Sequence, residues 1–450
     1  MKCTPIVHVA VMSAFMAMAA SFAVRAQDNT QKKISDRDRD QAEEMLSGIH
    51  DAVKKNYYDP TFHGVDMDAR YEKYRTAIKN APTLGEAFRG IAAYLSGLHD
   101  SHTFFVPPII SYRFDYGFRM QMIGDRCFVT EVRPGSDAAA KIHPGDEIVK
   151  LGAFAVNRKD FSDIEYYLNT LAPQAALELS LRDPQGAMRT EQVLTKFITG
   201  QKVIDLTEPG EANFWDLILR EESSIHLLRE RWVAIGDTFA WKIPAFNMTP
   251  GQVDEVMGKA DKHGSLVIDL RGNPGGAIDS LTYLTGCFFD HDVTIGTPIG
   301  RKHDKAVVAK PHGKTFTGKV FVLVDSDSAS ASELFARTMQ LNHRATVVGD
   351  LSAGAVMESK IYPMQIGVTG GNDLLVFYDA SITHDDLIMT DGKSLEKVGV
   401  TPDVASMPTG ADLAAGRDPA LAQAAQLAGA KIDPAAAGKL FPFEWVPFSQ

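Results

Sequence analysis

The sequence predicts a multidomain α/β protein that begins with a helical region. From residue 233 onward, apolar strands alternate with helices, as in VAIGDTFAWKI, then GQVDEVMGKAD, then LVIDL. Residues 36–100 instead keep helical spacing of their apolar side chains, and residues 112–200 break into short strands joined by Pro-Gly turns. A chain of 450 residues is long enough to bury several separate cores.

The composition is that of an ordinary globular protein and narrows the range of partners. Hydrophobic residues make up 45% of the chain and charged residues 23%, which excludes disordered and fibrous classes. The formal net charge is -11 at pH 7, and no basic stripe interrupts it. The sequence therefore predicts no nucleic-acid partner.

The first 26 residues have the pattern of a secretory signal peptide. Lys2 precedes the apolar stretch VHVAVMSAFMAMAASFAV, and small residues around Ala26 suit cleavage after it. The alternative is a retained membrane anchor, because the apolar run is long. We expect a secreted or periplasmic protein with no membrane span after cleavage. Cys127 and Cys287 are expected to be buried free thiols.

The short strands between residues 112 and 200 indicate a small peptide-binding domain. They read YGFRMQMI, RCFVTEV, DEIVKLG and LELSLRD, with the turns RPGSD and HPGDE between them. This segment resembles a PDZ domain over its whole length. The resemblance implies that Tyr116, Gly117 and Phe118 form a carboxylate-binding loop, and that a peptide C-terminus adds as a strand beside it. The alternative is a small β-barrel of no particular function.

Two strand-to-helix turns carry the candidate chemistry. SLVIDLRGNPGG places Gly275 and Gly276 after a buried strand, where backbone N–H groups can face a reacting oxygen. VFVLVDSDSASASELFA places Ser330 between the next strand and a helix N-terminus, which favours a developing oxyanion. One of Ser328, Ser330 and Ser332 must cap that helix, and the others remain for chemistry.

Four motifs together resemble the C-terminal processing, or tail-specific, serine peptidases. They are IDLRGNPGG, VDSDSASASELFA, ATVVGDLSAGAV and LEKVGVTPDV, and the likeness covers roughly residues 90–405. The resemblance implies a crotonase-like, Clp peptidase-like catalytic domain behind the PDZ domain. It implies Ser330 as nucleophile, with the N–H of Ala331 and a glycine of the Gly275–Gly276 pair as oxyanion hole.

The general base is the point at which the sequence departs from most of that family. Members with a Ser–Lys dyad carry lysine where this chain has Ala355, and Lys360 would point elsewhere in an extended segment. The branch resembling the tricorn core protease uses a Ser–His–Glu triad. This chain offers His102 in LHDSHTFF and Glu396 in SLEKVGVTPDV. His99 is the competing histidine, but its neighbours do not match the family's D-x-H-T pattern.

These observations predict an exported serine endopeptidase that acts through an acyl-enzyme on unfolded or tail-presented proteins. Its PDZ domain would dock substrates with free C-termini, and no cofactor is expected. The cluster His384-Asp385-Asp386 suggests a metal site, but no second set of ligands follows at metal-binding spacing. The sequence therefore predicts no metal site. The main alternative is a catalytically inactive PDZ-containing binding protein on the same fold. An acyl-CoA enzyme of that fold is disfavoured, because no CoA pocket is evident.

The predicted domain organisation follows from these assignments. It comprises a signal peptide at 1–26, an N-terminal helical region at 27–110, a PDZ domain at 111–200, a serine peptidase catalytic domain at 201–410 and a C-terminal tail at 411–450.

Overall fold

A computed structural model describes residues 33–108, 112–199, 223, 225–302, 305–368 and 374–447. The predicted signal peptide and most of the connector before residue 223 lie outside these described residues. None of the helices in the described ranges has the length and hydropathy that a bilayer-spanning segment requires.

Three helices form the N-terminal region, and each begins at a side chain that accepts a backbone N–H. They are α1 (Asp36–Asn56), α2 (Met67–Lys79) and α3 (Leu84–Ser96), with a 3₁₀ turn at Phe62–Gly64. Ser35, Asp66 and Thr83 occupy the N-cap positions, where their oxygens satisfy otherwise unpaired donors. The short strand β1 (Phe104–Val106) follows α3 and leads the chain into a sheet.

The middle segment forms a mostly antiparallel sheet with one helix against it. Its elements are β2 (Tyr112–Asp115), β3 (Phe118–Ile123), β4 (Arg126–Val132), β5 (Glu147–Leu151), β6 (Phe154–Ala155), α4 (Phe161–Tyr166, continued by a π-turn at Tyr167–Leu171), β7 (Ala176–Arg182), β8 (Met188–Leu194) and β9 (Lys196–Thr199), with a 3₁₀ turn at Ala138–Ala140. The strand order is β3-β4-β5-β7-β8, so β3 lies at an edge; β2 and β9 pair separately.

The C-terminal half contains a six-stranded sheet with an edge hairpin and parallel strands beyond it. The chain runs through β10 (Arg231–Ile235), β11 (Thr238–Lys242), α5 (Pro250–Ala260), β12 (Ser265–Asp269), α6 (Ile278–Gly286), β13 (Val293–Gly300), β14 (Val307–Ala309), β15 (Lys319–Val324), α7 (Ala331–Leu341), β16 (Thr346–Gly349), β17 (Met357–Val368), β18 (Leu374–Met389) and β19 (Val404–Ala405). The sheet order is β10-β11-β12-β15-β16-β19, and all pairs after β10–β11 are parallel.

A second sheet is built on the long hairpin of β17 and β18. Strand β18 pairs with β17, β13 and β1, so the N-terminal region is joined to the C-terminal half by main-chain hydrogen bonds. Helix α1 packs against this hairpin, and α3 packs against β1 within the same hydrophobic core. Strands β17 and β18 are not among the strands predicted from the sequence.

The chain ends in three short helices, α8 (Gly410–Ala414), α9 (Pro419–Ala428) and α10 (Pro434–Ala437). The alanine-rich face of α9 is buried against β12, β15 and β16 and forms a core on that side of the sheet. The larger core lies on the opposite face, under α5, α6 and α7. The predicted C-terminal tail is therefore one of the layers that cover the six-stranded sheet.

Two local expectations differ from the structure. The run VAIGDTFAWKI is a hairpin of β10 and β11 rather than one strand, because Gly236 takes the left-handed φ of 62° that a tight turn requires. The charged run LREESSIHLLRERW before it is predicted to be helical, but its described part is not helical beyond residue 225, and Arg231 already belongs to β10.

Candidate active site

Ser330 lies where β15 leads into α7, at the N-cap position of the helix. Its backbone has φ 51° and ψ -115°, a region that residues with a Cβ rarely adopt. Strained backbone of this kind persists only where the surroundings hold it, and it clusters at functional sites. The N–H of Ser330 is held at 3.0 Å by both the Ala355 carbonyl and the Glu333 carboxylate.

The three serines of the turn have different surroundings. The hydroxyl of Ser328 donates to the Leu270 carbonyl at 2.9 Å and accepts the N–H of Asp325 at 2.9 Å. The hydroxyl of Ser332 donates to the Asn273 carbonyl at 3.0 Å, and both side chains are fully buried. Only Ser330 of the three lines the adjacent pocket. The helix cap and the candidate nucleophile therefore share one residue.

The glycine turn after β12 lies beside Ser330. Asn273 is fully buried, accepts the N–H of Gly275 on its side-chain oxygen at 2.9 Å and accepts the N–H of Ala329 on its carbonyl at 3.0 Å. Gly276 has φ 143°, and a Cβ there would lie 2.3 Å from the Phe246 carbonyl oxygen, so only glycine fits.

The predicted oxyanion-hole donors differ in availability. The N–H of Gly275 is already used by Asn273. Within the described ranges, the structure pairs neither the N–H of Gly276 nor that of Ala331 with a protein acceptor. Gly276 also lines the pocket that contains Ser330. Of the predicted pair of glycines, Gly276 is therefore the one with a free donor.

His102 lies in the loop between α3 and β1 and is 2% exposed. Asp100 fixes this loop, because its Oδ1 accepts the N–H groups of His102 and Thr103 at 3.0 and 2.6 Å. His102 lines the same pocket as Ser330. His99, the competing histidine, is exposed in a left-handed turn with φ 57°. The structure thus brings His102, and not His99, to the serine.

Glu396 reaches the imidazole through an intermediate hydroxyl rather than directly. The Ser101 hydroxyl donates to Glu396 Oε2 at 2.9 Å and lies 2.7 Å from His102 Nδ1. The carboxylate also accepts the N–H groups of Ser101 at 2.7 Å and of Val356 at 2.9 Å. Ser101, Glu396 and His102 therefore form one hydrogen-bonded chain.

The direction of this chain assigns the histidine tautomer. A serine hydroxyl has one proton to donate. When that proton goes to the ionised Glu396, Ser101 accepts from His102, so Nδ1 carries the imidazole proton and Nε2 is left as a base. If Glu396 is protonated, the chain can reverse and place the proton on Nε2 instead. The arrangement thus makes the basicity of His102 depend on the ionisation of Glu396.

Burial moves the pKa values of both ionisable groups. Desolvation lowers the pKa of His102, partly opposed by the charge of Asp100, so the imidazole is neutral at neutral pH. Desolvation also raises the pKa of Glu396 to about 7, against the hydrogen bond from the Val356 N–H and the charge of Lys397. The carboxylate therefore ionises in the range in which an enzyme of neutral pH works.

Glu333 occupies the space beneath the segment that contains Ala355. It is fully buried and accepts the hydroxyl of Ser352 at 2.5 Å and the N–H groups of Gly354 and Ala355 at 2.8 and 2.9 Å. Desolvation raises the pKa of Glu333 to about 7, opposed by these hydrogen bonds. Because the same carboxylate holds the Ser330 N–H, Glu333 fixes the backbone geometry of the serine.

The pocket beside Ser330 has a volume of about 130 Å³ and a mainly apolar floor. Its apolar lining comes from Ile278, Leu334, Val356, Met357 and Leu387. Glu358 and His384 add polar groups to the lining.

In the predicted carboxylate-binding loop, the side chain of Asp115 accepts a backbone N–H of the loop itself. Gly117 has φ 78°, and its N–H donates to Asp115 Oδ1 at 2.6 Å. Asp115 is also paired with Arg133 at 2.7 Å. Tyr116 points inward, with its hydroxyl donating to the Leu168 carbonyl at 2.9 Å. One donor of the loop is therefore already bound to a carboxylate of the chain itself, while Phe118 begins the edge strand β3.

The edge strand β3 touches the loop that carries the serine. The Ser326 hydroxyl donates to the Met122 carbonyl at 2.7 Å, and the Gln121 amide donates to Asp325 at 2.7 Å. Arg158 pairs with Asp350 at 2.5 Å on the neighbouring segment. The middle segment thus contacts both the turn before Ser330 and the segment at Asp350.

Ser101, Asn273 and Glu333 are the residues of this site that sequence reasoning missed. The signal for Ser101 was its position beside His102, and that for Glu333 was its i+3 spacing from the serine, as in a capping box. Neither signal states that the side chain contacts a segment far away in the chain.

Comparison with known proteins shows which families this chain is similar to. Residues 240–406 match the model of peptidase family S41, and residues 38–88 match that of the tricorn protease C1 domain. The chain is 28% identical over 244 residues, 53% of its length, to a probable CtpA-like serine protease of Staphylococcus saprophyticus, of which 44% is covered. It is 33% identical over 146 residues, 32% of its length, to a carboxy-terminal-processing protease of Bartonella bacilliformis, of which 31% is covered. The chain thus spans less than half the length of these two curated relatives.

Solved structures show the same fold at low identity. Mature CPAF complexed with lactacystin aligns over 84% of this chain and 95% of its own, with a TM-score of 0.60 and 14% identity. The photosystem II D1 C-terminal processing protease aligns over 89% and 99%, with a TM-score of 0.51 and 18% identity. The mixed α/β architecture is thus that of C-terminal processing proteases, and the family resemblance predicted from the sequence is confirmed. Residues 240–406 thus match peptidase family S41, and the chain is similar to proteins named C-terminal processing serine proteases.

Proposed function

We propose that this protein is a serine endopeptidase with Ser330 as nucleophile and His102 as general base. The observation that carries the proposal is the chain from Glu396 through Ser101 to His102, which ends in the pocket that Ser330 lines. A serine hydroxyl becomes a competent nucleophile when an oriented neutral imidazole accepts its proton. The lysine absent at position 355 is then unnecessary.

The proposed reaction is acyl transfer to water. As the Ser330 hydroxyl oxygen attacks the peptide carbonyl, its proton passes to Nε2 of His102, and Glu396 stabilises the imidazolium through Ser101. The oxyanion is bound by the N–H groups of Gly276 and Ala331, the second at the positive end of α7. The imidazolium then protonates the leaving amine, and a water deprotonated by His102 hydrolyses the acyl-enzyme.

The pocket supports an apolar side chain next to the scissile bond. Leu334, Val356 and Leu387 are among its lining residues, and its volume of about 130 Å³ suits a side chain of moderate size. Burying such a side chain contributes about 1.5–3 kcal/mol, which favours apolar over charged residues there. Unfolded or tail-presented protein segments are the proposed substrates, since an extended chain can enter a cleft of this kind.

We assign the middle sheet as a PDZ domain that docks substrate C-termini along β3, and the C-terminal half as a crotonase-like catalytic domain. The edge position of β3 supports strand addition by a peptide. Because Asp115 holds the Gly117 N–H, an incoming carboxylate competes with it for that donor. We expect free-acid peptides to bind better than amidated ones, and Asp115→Asn to widen the difference, as read by fluorescence anisotropy. Equal affinity for both forms in both proteins would exclude carboxylate recognition.

Export of the protein through its N-terminal segment is part of the same proposal.

A fluorophosphonate probe separates the enzyme from an inactive binding protein. We expect labelling of the wild type and none in Ser330→Ala, with Ser330→Ala lowering kcat/KM by about four to six orders of magnitude. His99→Ala is the matched control for His102→Ala and should stay active. An unlabelled, inactive but folded wild type would favour the binding-protein alternative.

A further inference from the structure

The long hairpin beside the catalytic pocket contains a cluster of three ligand-type side chains. Glu358 on β17 and His384 and Asp385 on β18 each offer one donor atom, and the three atoms lie within 4.8 Å of one another. Glu358 and His384 line the pocket that contains Ser330 and His102. The proposed peptidase reaction uses none of the three.

A β-bulge brings these side chains to one place. Glu358 pairs with Asp385 and Ser359 with Thr383, so His384 is the extra residue opposite the shift in register. In a regular strand, consecutive side chains such as those of His384 and Asp385 point to opposite faces. Here the His384 Nδ1 lies 2.5 Å from the Asp385 carboxylate, so the bulge turns the imidazole toward it. Bulges re-aim side chains in this way and are frequent next to active sites.

The third neighbouring strand adds a second constraint on the carboxylate. Gly300 on β13 pairs with Asp385, and a Cβ at Gly300 would lie 2.2 Å from Asp385 Oδ1. The Asp385 side chain is only 5% exposed, whereas that of His384 is 24% exposed. Asp385 is thus buried, whereas Glu358 and His384 line the pocket.

We propose that Glu358, His384 and Asp385 bind Zn²⁺ at the catalytic pocket, and that the bound ion inhibits the peptidase. One imidazole and two carboxylates suit Zn²⁺, whereas Ca²⁺ and Mg²⁺ prefer oxygen ligands alone. Metal–ligand bonds of about 2.0–2.2 Å cannot span donors more than about 4.4 Å apart, so donors separated by up to 4.8 Å must move closer together when the ion binds. A tetrahedral Zn²⁺ with three protein ligands would take water as its fourth ligand.

Inhibition follows from position and charge. An ion held by Glu358 and His384 occupies pocket space that a substrate would enter. Its positive charge also disfavours the imidazolium that His102 must form during acylation. This second half of the proposal rests on the proposed peptidase function, whereas the binding half does not.

Calorimetry of Zn²⁺ binding to Ser330→Ala protein tests the site independently of activity. We expect one Zn²⁺ per chain, a dissociation constant raised at least tenfold by either Glu358→Gln or His384→Ala, and no comparable binding of Ca²⁺. His102→Ala should leave the affinity unchanged, because the catalytic imidazole is not a ligand. His291→Ala is the matched control, since His291 and Asp290 form an exposed pair at 2.7 Å and belong to no described three-ligand cluster.

Three results would each overturn a defined part of the inference. If Glu358→Gln and His384→Ala both keep the wild-type Zn²⁺ affinity and melting temperature, the proposed Zn²⁺ site is wrong. If His102→Ala loses Zn²⁺ affinity, the metal binds at His102 and not at the proposed site. If the site binds Zn²⁺ as expected but activity on a peptide substrate is the same with Zn²⁺ and with EDTA, the inhibitory half fails. A protein without peptidase activity leaves the calorimetry intact and counts against the proposed function instead.

Discussion

Replacing Ser101 with alanine removes the connection between Glu396 and His102 while leaving both in place. The variant loses the 2.7 Å contact with His102 Nδ1 and the 2.9 Å hydrogen bond to Glu396. Glu396 keeps two backbone donors, and the His102 loop keeps Asp100, so we expect little change in fold. A buried imidazole N–H without an acceptor costs about 1–3 kcal/mol.

That cost translates into a measurable loss of rate. At about 1.4 kcal/mol per factor of ten, kcat/KM should fall by about 5- to 150-fold, mainly in kcat because the imidazolium forms only during reaction. Glu396→Gln should cost more, up to about 10⁴-fold, because its amide can donate to Ser101 and reverse the chain into the wrong tautomer.

The assay is steady-state cleavage of a fluorogenic peptide, with the rate of fluorophosphonate labelling as a second readout. A thermal melt controls for the fold of each variant. If Ser101→Ala keeps wild-type kcat/KM while Glu396→Gln is impaired, the carboxylate acts by another route and the hydroxyl relay is wrong.

Three further predictions test the same site. Burial raises the pKa of Glu396 to about 7, and only its ionised form sets the active tautomer, so kcat/KM should fall as the pH drops through about 7. In Ser101→Ala this pH dependence of kcat/KM should become weaker. A kcat/KM that rises only above pH 9 would indicate a lysine base instead. Ser328→Ala should lower the melting temperature yet keep activity measurable, because its buried hydroxyl bonds are structural; a folded but inactive variant would contradict this. Ala355→Lys should not raise kcat/KM, since His102 already supplies the base; rescue of an inert wild type by this lysine would refute the triad.

The local features of this protein can be predicted from its amino-acid sequence alone. An apolar strand, a small-residue turn and a helix start predict the serine-rich turn, and the family resemblance selects Ser330 within it. The predicted strands that correspond to β3, β4, β5 and β7 agree with the structure within one or two residues. These features depend on backbone preferences and short-range periodicity, which neighbouring residues fix. His102 came from its motif, and the structure places it in the same pocket as Ser330.

Which of the candidate groups can react depends on contacts between segments that are distant in the sequence. Ser328, Ser330 and Ser332 are equivalent in sequence, and only the contacts of Leu270 and Asn273 use up two of the hydroxyls. Gly275 and Gly276 are likewise adjacent, but Asn273 takes one N–H and leaves the other.

The same holds for contacts between distant segments. Ser101 and Glu396 are 295 residues apart, and Glu358 joins His384 only through a bulge in a paired strand. Such contacts depend on how segments pack across the whole chain, because a side chain's partner, burial and pKa are set by atoms that its sequence neighbours do not supply.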